Sequence, residues 1–379
     1  MSDVRAAVMH GPGKVSVDRF PMPEVAEGAV LIKMRLSGIC GTDKHTFRGE
    51  TAQYAGTDHG HDIIYPLICG HENVGEVVET GGDVLDFEGR PLRPGDRVVP
   101  GANVPCGRCA PCIGGLPYYL CQRLEDYGNS LNSTAPPFLF GGWSEYMYLL
   151  PRTPIFTVPD DLPDSLAVLT EVMAVTHGVE SALTLLATLG ISASGFSVAV
   201  LGVGPLGICH LVKARLSGAG LIVATDRFAQ RLALATELGA HQVFDVRSMG
   251  AEEREARVRD LTHGVGVDLV LDCTGVPDSF VEALHLVRPG GVVVEAGTFV
   301  DLGPVQINPN ADICTRNVAV LGVGGERATA YVPSMRLMAA NQDRLALTRI
   351  VSHQFPLDDV ESAVLAAMNG DTMQVVIRP

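Results

Sequence analysis

Basic residues are scarce. The 28 Lys and Arg stand against 43 Asp and Glu, a formal charge of −15 at pH 7, which argues against a basic face for nucleic acid or for an anionic membrane. An anionic cofactor then needs a local device, such as a helix N-terminus, in place of a general positive field. Charge of either sign is thin, at 19% of residues against 46% hydrophobic, and that balance excludes wholesale disorder. Met1 to His10 lacks a basic segment followed by an apolar core, so the expectation is no secretory signal and a cytoplasmic protein. Internal repeats and low-complexity tracts are missing too.

One local absence could mislead. Ser181 to Val212 holds no Asp, Glu, Lys or Arg, a length that raises the question of a membrane span. Gly190, Gly195, Gly202, Gly204, Pro205 and Gly207 interrupt it, with Ser192, Ser194 and Ser197 between them. A buried helix, a buried parallel strand and a tight turn fit that pattern better.

With 379 residues, two or three domains are expected. The first half has short apolar runs bounded by Gly, Pro and Asp, at Ala29–Leu36, Asn73–Glu79 and Arg97–Pro100, which predict strands. Four prolines within Pro151–Pro163 predict an extended connection. From about Ala174 strands and helices alternate. Strands are predicted at Ser197–Leu201, Leu221–Thr225, Val267–Asp272, Gly291–Ala296 and Val318–Gly322. Helices are predicted to about Ser217, through Leu238, and near Glu252–Leu261 and Pro277–Val287. Apolar strands alternating with helices imply a parallel sheet covered on both faces.

Gly202-Val203-Gly204-Pro205-Leu206-Gly207 fits a dinucleotide-binding turn between a β-branched strand and an apolar helix. Gly202 permits the turn, Gly204 lets a pyrophosphate approach the backbone, and Gly207 lets helix pack on strand. Pro205 and Leu206 open the helix whose free N–H groups meet the phosphates. Asp226 ends the next strand, where a carboxylate accepts the ribose hydroxyls and repels a 2′-phosphate, favouring NAD over NADP. Arg227 follows at once, and an arginine nearby is what NADP enzymes use; Arg227 and Arg231 complete the candidate cofactor residues.

Nine cysteines form an odd set, and Cys106, Cys109, Cys112 and Cys121 are clustered. Without a secretion signal, such spacing points to metal rather than disulfides, and four thiolates can close a structural zinc site. A dispersed second group comprises Cys40 in Gly38-Ile-Cys-Gly-Thr-Asp43, with His71 and Glu72 in Gly70-His-Glu-Asn-Val-Gly75. Thiolate, imidazole and carboxylate together are the mixture of an open catalytic zinc site. Thr42 and His45 lie close by, a hydroxyl and an imidazole able to pass a proton outward.

These motifs, with Gly141-Gly-Trp-Ser-Glu-Tyr146 and Asp272-Cys-Thr-Gly275, occur in family order over nearly the whole chain. The sequence resembles the zinc-dependent medium-chain dehydrogenase/reductase family, most closely its sorbitol, threonine and secondary-alcohol dehydrogenases. The resemblance implies an α/β protein: a GroES-like β-barrel catalytic domain over 1–173 with the structural zinc lobe at about 101–123, a doubly wound Rossmann domain with a six-stranded parallel sheet over 174–322, and a return to the catalytic domain over 323–379. It further implies two Zn2+ per chain, NAD as cofactor, and a homodimer or homotetramer. Cys40 and His71 become ligands of the catalytic zinc, with Glu72 a ligand or an immediate neighbour. Thr42 takes the alcohol proton and His45 passes it on.

In horse-liver-type relatives a cysteine, the third ligand, precedes an aromatic–glycine pair by six residues. Glu171 has that spacing before His177-Gly178, as in sorbitol-type members, although Val172 replaces their usual Pro; the resemblance makes Glu171 a ligand, directly or through water. The lobe holds eight residues between Cys112 and Cys121 where relatives usually hold seven. Phe47–Tyr65 is long and polar, with His59 and His61; it is expected to be a solvated insertion, with a border of the substrate cleft as the alternative. Phe47, Tyr54 and Trp143 are candidates for an apolar wall or for packing. The expected substrate is a small-molecule alcohol. Two alternatives stay open: a zinc-independent quinone or enone reductase of the same architecture, and a non-catalytic cofactor-binding protein with structural zinc only.

Overall fold

The computed structural model describes residues 3–53, 61–192, 194–370 and 372–379. The chain forms two compact units, Met1–Ala174 with Arg327–Pro379, and Val175–Glu326. Among the described residues no helix is long and apolar enough to cross a membrane. The charge-poor stretch resolves into the helix His177–Thr188, the strand Ser197–Leu201 and the helix Pro205–Leu216.

The first unit is built on a sheet in the order Ile155–Thr157, Arg97–Pro100, Asn73–Thr80, Val30–Gly38, Gln374–Arg378, Val351–Pro356, with Tyr146–Leu149 also paired to Val30–Gly38. A smaller sheet joins Lys14–Pro21, Asp3–Gly11 and Leu67–Ile68. The apolar faces enclose one core that contains Ile32, Ile68, Trp143, Met147 and Val375. Removing such surfaces from water is the main favourable term in folding. The pairing of Val376 with Gly38 and Ile377 with Ser37 carries the chain's end back beside the strand that leads to Cys40. The proline-rich connection contains the short strand Ile155–Thr157 before the helix Asp164–Ala167.

The second unit is a parallel sheet in the order Gln242–Asp245, Leu221–Asp226, Ser197–Leu201, Val267–Asp272, Val287–Glu295, Ala319–Gly322. Its central strands are buried along almost their whole length, which requires cover on both faces and explains their unbroken Val, Ile and Leu content. The strand Gln242–Asp245 was not anticipated from sequence; it has four residues, of which only Val243 and Phe244 are apolar. Successive strands step outward one way from Ser197–Leu201 and the other way from Val267–Asp272. The order therefore reverses between these two, and in such sheets ligands bind beyond the carboxyl ends at that point.

Candidate functional site

Cys40 is the N-cap of the helix Gly41–Arg48, so its side chain stands at the helix mouth and not along its flank. Asp43, one turn in, accepts the Cys40 amide on Oδ2 at 2.8 Å and the Gly70 amide on Oδ1 at 3.4 Å. One fully buried carboxylate thus ties the Cys40 loop to the loop bearing His71 and Glu72. A ligand atom from each of Cys40, His71 and Glu72 falls within 4.8 Å of the other two. Gln374, fully buried, donates its side-chain amide to Glu72 Oε2.

The electrostatics of this group ask for a cation. Burial pushes the Cys40 thiol up, and Asp43 adds to it. Burial and then Cys40 push the Glu72 carboxyl well above the usual carboxylate range. Asp43 is raised by burial as well, against the favourable field of His71. Acids taken out of water and set side by side oppose one another's ionisation; a divalent cation reverses that logic and deprotonates its ligands. The donor set fits zinc.

Around it the backbone is tightly constrained. A Cβ on Gly38 would lie 2.0 Å from Glu72 Oε2 and 2.6 Å from Gln374 Nε2. Gly38→Ala is therefore expected to displace Glu72 at a cost of about 1–3 kcal/mol, typical of overpacking, and to lower the melting temperature by several degrees. A melting temperature equal to that of the parent protein would show that the loop gives way freely.

Thr42 is buried, and its side chain hydrogen-bonds the Cys40 thiol, opposing part of the rise that burial imposes there. His45 follows one turn later in the same helix, its Nδ1 2.5 Å from Glu50 Oε2 and its side chain 22% exposed. A hydroxyl at the buried end and a half-buried imidazole toward solvent can form a proton path. Glu171 is buried in the first turn of Thr170–Val175, but it does not belong to the three-residue group.

The four-cysteine lobe assembles as a cluster. Sγ atoms of Cys106, Cys109, Cys112 and Cys121 all fall within 4.8 Å of one another, with Cys109 3.4 Å from Cys112 and 3.8 Å from Cys121. A tetrahedron with zinc–sulfur bonds of about 2.3 Å has edges of about 3.8 Å. All four cysteines are free of disulfides. Amides of Cys106 and Arg123 point at Cys121 Sγ, and that of Gln122 at Cys109 Sγ, an arrangement suited to thiolates. Backbone donors lower Cys109 to about 6, while burial and then Cys109 push Cys112 up to about 12. Between Cys109 and Cys121 the chain forms the short helix Ala110–Ile113 and the single turn Tyr118–Leu120.

In the second unit Gly202 has φ +73°, and a Cβ on Gly207 would lie 1.8 Å from the Gly202 carbonyl oxygen; the first glycine makes the turn and the last permits helix–strand contact. Gly204 caps the helix, with Pro205 and Leu206 opening it. Asp226 accepts the Val203 amide on Oδ2 at 3.0 Å and the Phe228 amide on Oδ1 at 2.9 Å. The Arg231 guanidinium is 3.9 Å from Asp226 and lies over Gly204. Arg227 and Arg231 flank the Phe228 ring at 4.8 and 4.9 Å.

The apolar-wall candidates fare differently. Trp143 is fully buried, its Nε1 donating to the Gly38 carbonyl at 3.3 Å, and Phe47 belongs to the same core; both are packing residues. Tyr54 and His59 lie outside the described residues, as does the side chain of His61. Asp43, Glu50 and Gln374 were not anticipated. Asp43 had a visible signal, an acid three residues after the N-cap cysteine; Gln374, hundreds of residues from Glu72, had none.

The chain matches the model of the alcohol dehydrogenase GroES-like domain over residues 26–160 and that of the zinc-binding dehydrogenase over 205–340. It is 30% identical over 376 residues to the L-threonine 3-dehydrogenase of Burkholderia mallei (strain SAVP1), covering 98% of this chain and 97% of that one. Among solved structures it is similar to an alcohol dehydrogenase from Thermotoga maritima, with a TM-score of 0.89, 27% identity and full coverage of both chains. It is also similar to a protein of Sinorhizobium meliloti 1021 named as a zinc-binding dehydrogenase and bound to NADP, with a TM-score of 0.83, 29% identity and full coverage of both. The fold, with its GroES-like domain and Rossmann sheet, and these matches over nearly the whole length lead to one assignment: the chain belongs to the zinc-dependent medium-chain dehydrogenase/reductase family of alcohol-dehydrogenase-type oxidoreductases.

Proposed function

We propose that the chain oxidises an alcohol, of secondary, polyol or cyclic type, to the ketone or aldehyde with NAD as hydride acceptor, using one catalytic and one structural zinc. The convergence of Cys40, His71 and Glu72 beside the buried Thr42 hydroxyl carries this reading. Cys40, His71 and Glu72 would hold the catalytic ion, with Glu171 an additional ligand, directly or through water; Cys106, Cys109, Cys112 and Cys121 would hold the structural one. Zinc at the first site would supply Lewis acidity toward the alcohol oxygen, of the kind that brings the pKa of bound water down to about 7.

The chain's own groups do the rest. Thr42 Oγ1 takes the alcohol proton, and the His45 imidazole, braced by Glu50 at Nδ1, delivers it to solvent. Asp43 holds the two ligand loops in register, so that little reorganisation is left for the reaction. The glycine turn and the N-terminus of Pro205–Leu216 receive the pyrophosphate in a chain of otherwise acidic character. A zinc-independent reductase or a non-catalytic binding protein would leave Cys40, His71 and the Thr42–His45 path without a task. The test is growth of reduced-cofactor absorbance against a panel of polyols, cyclic alcohols and threonine; no response to any alcohol would remove the reading.

NAD preference rests on Asp226, whose fixed carboxylate suits ribose hydroxyls and repels a 2′-phosphate. Arg227 and Arg231 beside it favour a second reading, use of NADP. Asp226→Ala is expected to lower kcat/KM for NAD by about 10- to 100-fold, the worth of hydrogen bonds to a charged group, with little loss for NADP. A parent protein that already prefers NADP would give the role to the two arginines.

A further inference from the structure

The glycine turn and Asp226 occupy one half of the sheet's carboxyl edge, which leaves the strands Val267–Asp272 and Val287–Glu295 to the nicotinamide half of a dinucleotide that crosses the reversal point. Two acids end these strands in register, Asp272 opposite Glu295. Asp272 is fully buried; its Oδ1 accepts the Thr274 amide at 3.1 Å and the Thr274 hydroxyl at 2.9 Å, and its Oδ2 accepts the Ser279 hydroxyl. Glu295 is held on Oε1 by the amides of Gly297 and Thr298 and the Thr298 hydroxyl, at 3.1, 3.0 and 2.9 Å. Its Oε2 is buried, and the Glu295 side chain hydrogen-bonds that of Asp272. Thr274 also packs against the first glycine of the turn, where a Cβ on Gly202 would lie 3.0 Å from its methyl group. The acid pair is thus built into the floor of the proposed cofactor site.

We infer that Asp272 and Glu295 form a proton-sharing carboxyl pair beneath the nicotinamide half of the site, whose ionisation discriminates the cationic oxidised ring from the neutral reduced one. This rests on the dinucleotide reading proposed above.

With Asp272 ionised and saturated by donors, Glu295 is the group that titrates. Burial and then Asp272 push it up to about 7, so it exchanges its proton near neutral pH. Other titratable groups on the packed elements include Cys273 beside Asp272, whose thiol burial holds well up, Cys209 and His210 on Pro205–Leu216, the His210 imidazole lowered by burial to about 4, and His177, whose Nε2 faces the Gly325 carbonyl at 3.0 Å. A cationic ring favours the doubly ionised pair; a neutral ring does not. Binding of oxidised cofactor therefore releases a proton from Glu295 near pH 7, and its affinity relative to reduced cofactor rises with pH. By linkage, each unit by which the cationic ring lowers the Glu295 pKa is worth tenfold in that ratio.

The experiment measures dissociation constants of NAD and NADH (or NADP and NADPH, if those bind) at pH 6 and pH 8.5, together with proton release on binding in weak buffer, for the zinc-loaded enzyme and for Glu295→Gln. The expected result is a ratio favouring the oxidised form by about tenfold more at the higher pH, proton release with the oxidised form alone, and loss of both effects in Glu295→Gln. Asp272→Asn serves as a second variant and should shift the transition to lower pH. A ratio independent of pH in the parent protein, or an unchanged slope in a folded Glu295→Gln, overturns the inference while leaving the dinucleotide reading intact. Failure of any dinucleotide to bind overturns both.

Discussion

Cys40→Ser and His71→Ala are each expected to lower kcat by a thousandfold or more while the dissociation constant for reduced cofactor changes by less than about threefold. Lewis-acid stabilisation of developing charge is worth several kcal/mol, and each 1.36 kcal/mol is a factor of ten in rate. Both residues belong to the group whose ligand atoms converge, and removal of either takes away one of its three donors. The cofactor residues belong to a different unit of the chain, so binding should survive. The measurement is steady-state turnover paired with a fluorescence titration of reduced cofactor. Retained turnover in either variant contradicts the ligand assignment; lost cofactor binding would mean that the substitution unfolds the protein and that Asp43, Gly70 and Gln374 cannot hold the loops alone.

Cys109→Ser should release one of two zincs per chain and leave the other. Without the proposed zinc the lobe would have few packing contacts to hold it, Tyr118 and Cys121 apart: the helix Ala110–Ile113 buries none of its residues, and Ile113, Leu116 and Leu120 are exposed. Sites closed by four thiolates contribute folding energy outright. The variant is expected to melt on the order of 10 °C lower, several kcal/mol on the scale of a domain of this size, and to be cut by protease within the lobe. Residual activity of the intact fraction should remain, because Cys40, His71 and Glu72 belong to other loops. A Cys109→Ser protein with two zincs and an unaltered melting temperature would contradict the structural role.

How much of this was legible in the sequence depends on how local the physics is. The glycine turn and the strand ending at Asp226 could be read because each glycine answers a backbone requirement within a few residues. The four-cysteine lobe could be read for the same reason, its ligands lying close together in sequence. Cys40 and His71 were singled out by residue type and then by resemblance, since nothing in the spacing itself says that two distant loops meet. Asp43, which joins those loops, could have been suspected from its place after the N-cap. Gln374 could not: it reaches Glu72 because the last strand pairs with Val30–Gly38, a non-local pairing decided by the burial of both strands. For Trp143 the sequence leaves pocket wall and packing equally open, and only its complete burial in the core decides for packing. The pairing of Asp272 with Glu295 is likewise a matter of strand register, and the motif Asp272-Cys-Thr-Gly275 alone does not reveal its partner.

Zinc content measured on the purified, turning-over protein, followed by chelation and re-addition, tests the central claim most directly. The account predicts about two zincs per chain, loss of alcohol oxidation when the ion held by Cys40, His71 and Glu72 is stripped, and recovery when zinc is returned. Full activity in metal-free protein, or a rate that chelation leaves untouched after the metal is shown to be gone, would contradict it.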